Sequence, residues 1–97
     1  MNGLIKFMQG GKEVDKIDFI KTEKGESNTI KIEMYNAYND IVELTNPYSV
    51  DPEVEIVEYT RTMGIKSFGK LILKFTPSME RTESLKLKDV GFKVVIG

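Results

Sequence analysis

Three stretches of this chain place apolar residues at every second position: residues 29–35, 70–75 and 92–96. The apolar members are Ile30, Ile32 and Met34 in the first stretch, Leu71, Leu73 and Phe75 in the second, and Phe92, Val94 and Ile96 in the third. Side chains of a strand point alternately to opposite faces of a sheet, so this spacing predicts strands with one buried face. We therefore expect an all-β domain built from antiparallel strands.

Turn signals separate further short apolar segments. Gly10-Gly11 favours a tight turn, because glycine adopts positive φ without steric cost. Asn46-Pro47 and Asp51-Pro52 are expected to interrupt strands, since the residue before a proline is driven to an extended conformation and proline donates no hydrogen bond to a neighbour. We expect strands at 4–8, 29–35, 41–44, 54–59, 70–75, 85–87 and 90–96, and an extended stretch through Val14, Ile17 and Phe19. Seven or eight strands at this spacing are typical of a β-sandwich or barrel.

A chain of 97 residues suits one domain, here residues 1–97, with 1–16 forming an extra N-terminal hairpin or edge strand. Its core is expected to contain Phe19, Ile30, Ile32, Met34, Val42, Leu44, Val54, Ile56, Leu71, Leu73, Phe75, Leu87, Phe92, Val94 and Ile96. The chain has no cysteine, which excludes disulfides and thiolate metal sites. No apolar run exceeds three residues, far short of a membrane span.

Charge and composition narrow the function classes. The net charge is −1 with acids and bases interspersed, which argues against a nucleic-acid surface and gives no attraction to a charged membrane. The absence of histidine removes the commonest general base and metal ligand. The first residues show no signal peptide, so we expect a protein made in a cytoplasm and not secreted through a leader.

Two stretches resemble the Hydin-type (abnormal-spindle-type) immunoglobulin-like domains. The first is Ile17-Asp18-Phe19, then Gly25, then an alternating strand ending at Asn36. The second begins at Gly69, continues through Phe75-Thr76-Pro77 and closes with the strand that ends at Gly97. The resemblance covers residues 17–97 and implies an immunoglobulin-like two-sheet sandwich of about seven strands. It also implies a packing, docking or assembly module without catalytic residues.

The segment 63–68 is the first candidate contact with a protein partner. Met63, Ile65 and Phe68 are apolar side chains beside glycines, and Met and Phe are enriched at the centres of interfaces. The alternative is that Ile65 and Phe68 fold back and close the end of the sandwich.

Three tyrosines near turn residues form a second candidate contact: Tyr35, Tyr38 and Tyr48. Tyrosine gives large contact area at low entropy cost and a hydroxyl that hydrogen-bonds across a wet interface. The alternative is half-buried rings that cover the rim of the sandwich.

The N-terminal segment is the third candidate, with Leu4 and Phe7 as its contact residues. An apolar strand there can pair along a sheet edge of its own domain or of a neighbour. The alternative is pairing within the chain through the Gly10-Gly11 turn.

Acidic residues offer weaker possibilities. Oxygen ligands for calcium are available at Asn36, Asn39, Asp40, Asp51 and Glu53, but their spacing matches no known calcium loop and Asx turns explain several of them. Glu55 with Glu58, or Asp15 with Asp18, provide the carboxylate pairs of a glycosidase, yet nothing in the sequence marks a cleft. We expect no metal, no cofactor and no enzymatic activity.

The expected function is therefore a non-catalytic structural or assembly module. A virus particle is the most economical setting, with the chain as a small protein that decorates a bacteriophage capsid or joins head and tail proteins, without nucleic-acid or membrane contacts. The alternative is a binding module for a glycan or peptide, although the chain lacks the tryptophan that commonly stacks on sugars.

Overall fold

The computed structural model describes residues 5–18, 23–80 and 84–97. Those residues form ten strands and one short 3₁₀ turn, Leu87–Asp89. Six strands have five residues or more: β1 (Ile5–Gln9), β4 (Asn28–Asn36), β5 (Val42–Ser49), β6 (Val54–Tyr59), β8 (Phe68–Phe75) and β10 (Val90–Ile96). Four have two residues each: β2 (Lys12–Glu13), β3 (Lys16–Ile17), β7 (Thr62–Met63) and β9 (Leu85–Lys86).

The strands form a β-sandwich, as the alternating pattern predicts. The larger sheet has the order β2-β1-β4-β8-β6, the smaller sheet has the order β10-β5-β7, and β3 pairs with β9 as a separate ribbon. All pairs are antiparallel. When only the six long strands are counted in chain order, one sheet runs 1-2-5-4 and the other 6-3. This is the order of strands A-B-E-D and F-C in an immunoglobulin sandwich.

The core lies between the inner faces of the two sheets. Ile32 and Met34 of β4 and Leu71, Leu73 and Phe75 of β8 bury the inner face of the larger sheet. The smaller sheet buries residues from its three strands against them: Val42, Leu44, Met63 and Val90. Alternation in β4 and β8 sends polar residues to the opposite, solvated face, as expected of an antiparallel sheet.

Most of the expected core is buried or packs against the buried cluster. The expectation that Ile96 belongs to the core is wrong. Its side chain is 45% exposed, because it lies at the end of an outermost strand. Phe19 lies outside the described residues. The core also contains residues that the alternating pattern alone does not select: Ile5, Phe7, Ile17, Met63, Leu85 and Val90.

The prediction that Asn46-Pro47 separates two strands is wrong. β5 runs through both residues to Ser49, and together they lie opposite Phe92 alone, which makes a β-bulge. Asn46 has a φ of 49°, in the left-handed region that asparagine tolerates better than most residues. Proline is accommodated in a sheet at such a bulge because no ladder hydrogen bond is required of it. Beneath the bulge, the rings of Phe92 and Tyr59 pack with centroids 4.9 Å apart.

The N-terminal segment pairs within its own chain. β1 turns through Gly10 and Gly11, whose φ values are 60° and 81°, into β2, and its other edge pairs with β4 along residues 5–8. The hairpin alternative to pairing with a neighbour is thus the arrangement that the structure contains. β1 consequently belongs to the larger sheet and contributes Ile5 and Phe7 to the core.

Candidate interaction site

One end of the sandwich is organised by a buried amide side chain. Asn36 ends β4 and is fully buried. Its Nδ2 donates hydrogen bonds to the carbonyl oxygens of Asp40 and Gly64, both at 2.9 Å, and a longer one of 3.3 Å to that of Met63. Its Oδ1 accepts a hydrogen bond of 2.9 Å from the N–H of Tyr38. A single side chain therefore satisfies the backbone of two loops, 37–41 and 64–67.

Further hydrogen bonds hold the second loop against the first. The N–H of Asn36 donates to the carbonyl oxygen of Ser67 at 2.9 Å, and Ser67 Oγ donates to that of Gly64 at 2.8 Å. Lys66 adopts a φ of 52°, and its Nζ donates to the carbonyl oxygen of Ala37 at 2.6 Å. The two loops are thus joined by the side chains of Asn36 and Lys66, which bond to backbone carbonyl oxygens, and the apolar side chains of the loops take no part in these bonds.

An aromatic pair lies where the two loops join the larger sheet. Tyr35 of β4 lies directly opposite Phe68 of β8, and their ring centroids are 4.8 Å apart at an angle of 44°. Tilted rings at this separation attract each other. Phe68 is nevertheless 58% exposed, while Tyr35 is half-buried.

The cross-linked loops add two more exposed side chains to this end. Ile65 is 55% exposed and Tyr38 is 38% exposed. We call the set Tyr35, Tyr38, Ile65 and Phe68 the aromatic end. Four residues from the first two candidate contacts are therefore carried by one pair of joined loops and the strand ends beside them. The alternative that Ile65 and Phe68 fold back to close the sandwich does not fit their exposure.

Other residues of the candidate contacts lie elsewhere. Met63 is buried, because Thr62 and Met63 form β7 and pair with Val42 and Glu43 of β5. Phe7 is also buried in the core, so neither residue presents a surface side chain. Tyr48 is 48% exposed and lies on β5 opposite Gly91, away from the aromatic end. Leu4 lies outside the described residues.

The acidic candidates have structural partners. Asp51 Oδ1 accepts a hydrogen bond from the N–H of Glu53, and Asp40 Oδ1 accepts one from the N–H of Ile41. Both are local bonds between a side chain and the nearby backbone, as is common for aspartate in turns. Glu53 accepts from both the N–H and the hydroxyl of Ser78, joining the loop before β6 to the loop after β8. Within the described parts of the chain, no three acidic, histidine or cysteine residues are grouped closely enough to hold a metal ion.

The carboxylate pairs are likewise dispersed along the surface. Glu58 forms an exposed ion pair with Lys70 of the neighbouring strand, and Glu55 is exposed on the same strand. Asp18 accepts a hydrogen bond of 2.9 Å from Ser84, and Asp15 is exposed. No cleft brings either pair of carboxylates to a common point in the described residues. Of the residues singled out from the sequence, four exposed or half-buried ones are brought to one end of the sandwich, and they form the aromatic end.

Sequence reasoning found the aromatic residues but missed the residue that positions them. Asn36 stood out only as a turn former and a possible calcium ligand. The available signal was an asparagine at the last position of a strand with an alternating apolar face. At that position its side chain can hydrogen-bond to backbone groups of the loop that follows.

Among the described residues, no helix has the length and apolar character needed to cross a bilayer. Comparisons with known protein families, with characterised proteins and with solved structures find no significant match to this chain.

Proposed function

We propose that this protein is a non-catalytic assembly module that binds a protein partner through its aromatic end. The supporting observation is that Phe68 and Ile65 are each more than half exposed on loops fixed by the Asn36 hydrogen bonds. These apolar side chains are held in contact with water, and the free energy falls when a partner covers them. A fixed frame also lowers the entropy cost of binding, because the loops are already ordered.

The composition of the aromatic end is typical of an interface with another protein. Aromatic residues are enriched at the centres of interfaces, where they combine contact area with few rotatable bonds. Tyr35 and Tyr38 add hydroxyls to the apolar area of Phe68 and Ile65. Lys66 is already engaged with the Ala37 carbonyl, so its charge stiffens the loop as well as bordering the site.

We propose a virus particle as the setting, with the chain as a small decoration or head–tail protein of a bacteriophage. Support comes from the size, the immunoglobulin-like sandwich and the near-neutral charge, which lets many copies lie close together with little repulsion. The resemblance to Hydin-type domains, whose members act in docking and assembly, agrees with this proposal. Under it, the partners are capsid or tail proteins and no cofactor takes part.

Sedimentation of particles from cells that produce the tagged chain tests this function. We expect the chain to sediment with virus-sized particles and the double variant with Ile65→Ser and Phe68→Ser to stay in the free fraction. Val57→Ser is the matched control, since Val57 is 54% exposed on β6, outside the aromatic end. A chain found only in the free fraction contradicts the virion setting. A double variant that sediments like the parent contradicts the assignment to the aromatic end.

A further inference from the structure

β10 is the outermost strand of the smaller sheet, and among the described residues only β5 pairs with it. In an immunoglobulin sandwich the equivalent strand F has strand G on its other side. No described residue of this chain fills that place. The edge of β10 is seven residues long.

The hydrogen bonds to β5 show which backbone groups face the open edge. The N–H of Gly97 donates to the carbonyl oxygen of Ile41, so Gly97 and, by alternation along the ladder, Val95 and Lys93 face β5. The N–H of Val50 donates to the carbonyl oxygen of Asp89, which places Gly91 on the same side. The residues between them direct their N–H and C=O groups away from β5: Phe92, Val94 and Ile96.

An apolar cleft lies along this edge. It has a volume of about 160 Å³ and is lined by Ile5, Phe7, Tyr48, Val90, Gly91, Phe92 and Val94. β1 of the larger sheet thus forms one wall, and β10 together with Tyr48 of β5 forms the other. A cavity of about 150 Å³ with apolar walls accommodates benzene, so the cleft has room for an aliphatic or aromatic side chain.

The edge of the larger sheet that β6 forms is arranged differently. Val57 is an extra residue in β6 that shifts the pairing with β8, and the strand carries Glu55 and Glu58. Bulges and charged side chains are devices by which proteins prevent a further strand from adding to an edge. β10 has its bulge on the partner strand β5 and carries a single charge, Lys93.

We propose that β10 accepts an extended segment of a protein partner as an additional antiparallel strand. The backbone of this segment pairs with Phe92, Val94 and Ile96, one apolar side chain enters the cleft, and a neighbouring carboxylate lies beside Lys93. Main-chain hydrogen bonds supply the attachment, and the alternation of apolar and acidic residues supplies the specificity.

Charge favours a partner segment over a second copy of the chain. Lys93 is exposed and has no ion pair within the described residues. The outward-facing residues of β10 are Gly91, Lys93 and Val95, so a second β10 offers no carboxylate. If two β10 strands paired antiparallel along their full length, Lys93 of one copy would lie opposite Lys93 of the other. Like charges directly opposite each other are unfavourable.

The probe is the end-blocked peptide Lys-Thr-Thr-Val-Glu-Val-Thr-Thr-Lys, which places the glutamate between two valines. Amide hydrogen exchange of the full chain is followed by NMR with and without it. At about ten times its Kd, we expect exchange at Phe92, Val94 and Ile96 to slow about tenfold, with little change at Lys93 and Val95, which already bond to β5. The same peptide methylated at the nitrogens of both valines should give no protection, because those nitrogens face β10.

Two variants separate strand addition from general stickiness. Lys93→Glu should prefer the peptide with lysine at its centre by about two- to fivefold, reversing the parent's preference. Val94→Pro should abolish protection, since it removes an N–H that faces the edge and not β5. If the Val94→Pro variant does not fold, Lys93→Glu still tests the proposal. The variants at the aromatic end are controls and should bind the peptide like the parent.

Three results would overturn the proposal. They are an unprotected edge at every peptide concentration, equal binding of the methylated peptide, and concentration-dependent protection of the three amides in the chain alone with formation of a dimer. The last result would assign the edge to a second copy. None of them bears on the aromatic end, so the two proposals fail independently.

Discussion

Asn36 and Gly64 are 28 residues apart in the chain and are joined by a hydrogen bond of 2.9 Å from the side-chain amide to the carbonyl oxygen. This bond connects the end of β4 to the loop that carries Ile65. Asn36 is fully buried, and its side-chain hydrogen bonds are buried or partly buried, so water competes little for its amide group. Stability and the shape of the aromatic end therefore depend on the same side chain.

Asn36→Ala should lower the free energy of unfolding by about 1–3 kcal/mol, because it removes the hydrogen bonds that join the two loops and leaves the N–H of Tyr38 and the carbonyl oxygen of Asp40 without their side-chain partner. Urea denaturation measures this change. Asn39→Ala is the control, since Asn39 is exposed in the same loop and its replacement should change stability by less than about 0.5 kcal/mol. Equal effects of the two substitutions would show that Asn36 does not organise the loops.

Gly91→Ala should destabilise the chain by about 1 kcal/mol, since a Cβ at Gly91 would fall on the ring of Tyr48. In a Tyr48→Ala background the same substitution should be neutral or stabilising, because glycine is the weaker residue in a strand. A double-mutant cycle from thermal unfolding measures the coupling. The same cost in both backgrounds would contradict the contact.

Leu73→Ala should cost about 2–5 kcal/mol, because Leu73 is fully buried between the sheets. Ile72→Ala, one residue earlier on the half-buried outer face of β8, should cost about 1 kcal/mol or less. Denaturant unfolding of the two variants tests the assignment of faces. The opposite ranking would mean that the strand presents its other face to the core.

Phe68→Ala should leave the chain folded, with a loss of about 1 kcal/mol or less, because most of the ring is exposed. Its coupling to Tyr35→Ala should be about 0.5–1.5 kcal/mol, as for other aromatic pairs. Thermal unfolding of the two single variants and the double variant gives this number. A loss above about 3 kcal/mol for Phe68→Ala would place the ring in the core and remove it from the interaction surface.

The strands with apolar residues at alternate positions were predictable. β6 and β10 have the expected bounds, and β4 and β8 extend the expected strands by one or two residues. Local pattern sufficed there because one face of each strand is buried and the other solvated. Met63 could not be placed in the same way. β7 has only two residues, and Met63 is buried because it pairs with Val42, which is distant in sequence.

β5 shows where local rules give way to tertiary structure. The residue before a proline prefers extended backbone, yet Asn46 adopts the left-handed conformation because the sheet continues on both sides of the bulge. Pairing with β10 along most of β5 outweighs the cost at one residue. The aromatic end was partly foreseen, since the exposed aromatic residues were visible, but the joining of its two loops by Asn36 is a long-range contact that spacing does not show.

Under the proposed function, Phe68 belongs to a surface that a partner covers in the assembled particle. The most direct measurement places the photo-crosslinking amino acid p-benzoylphenylalanine at position 68 and, in a matched variant, at position 57. We predict that irradiated particles give one discrete crosslink to a particle protein from position 68 and none from position 57. Crosslinks of equal yield from both positions, or none from position 68, would contradict the account.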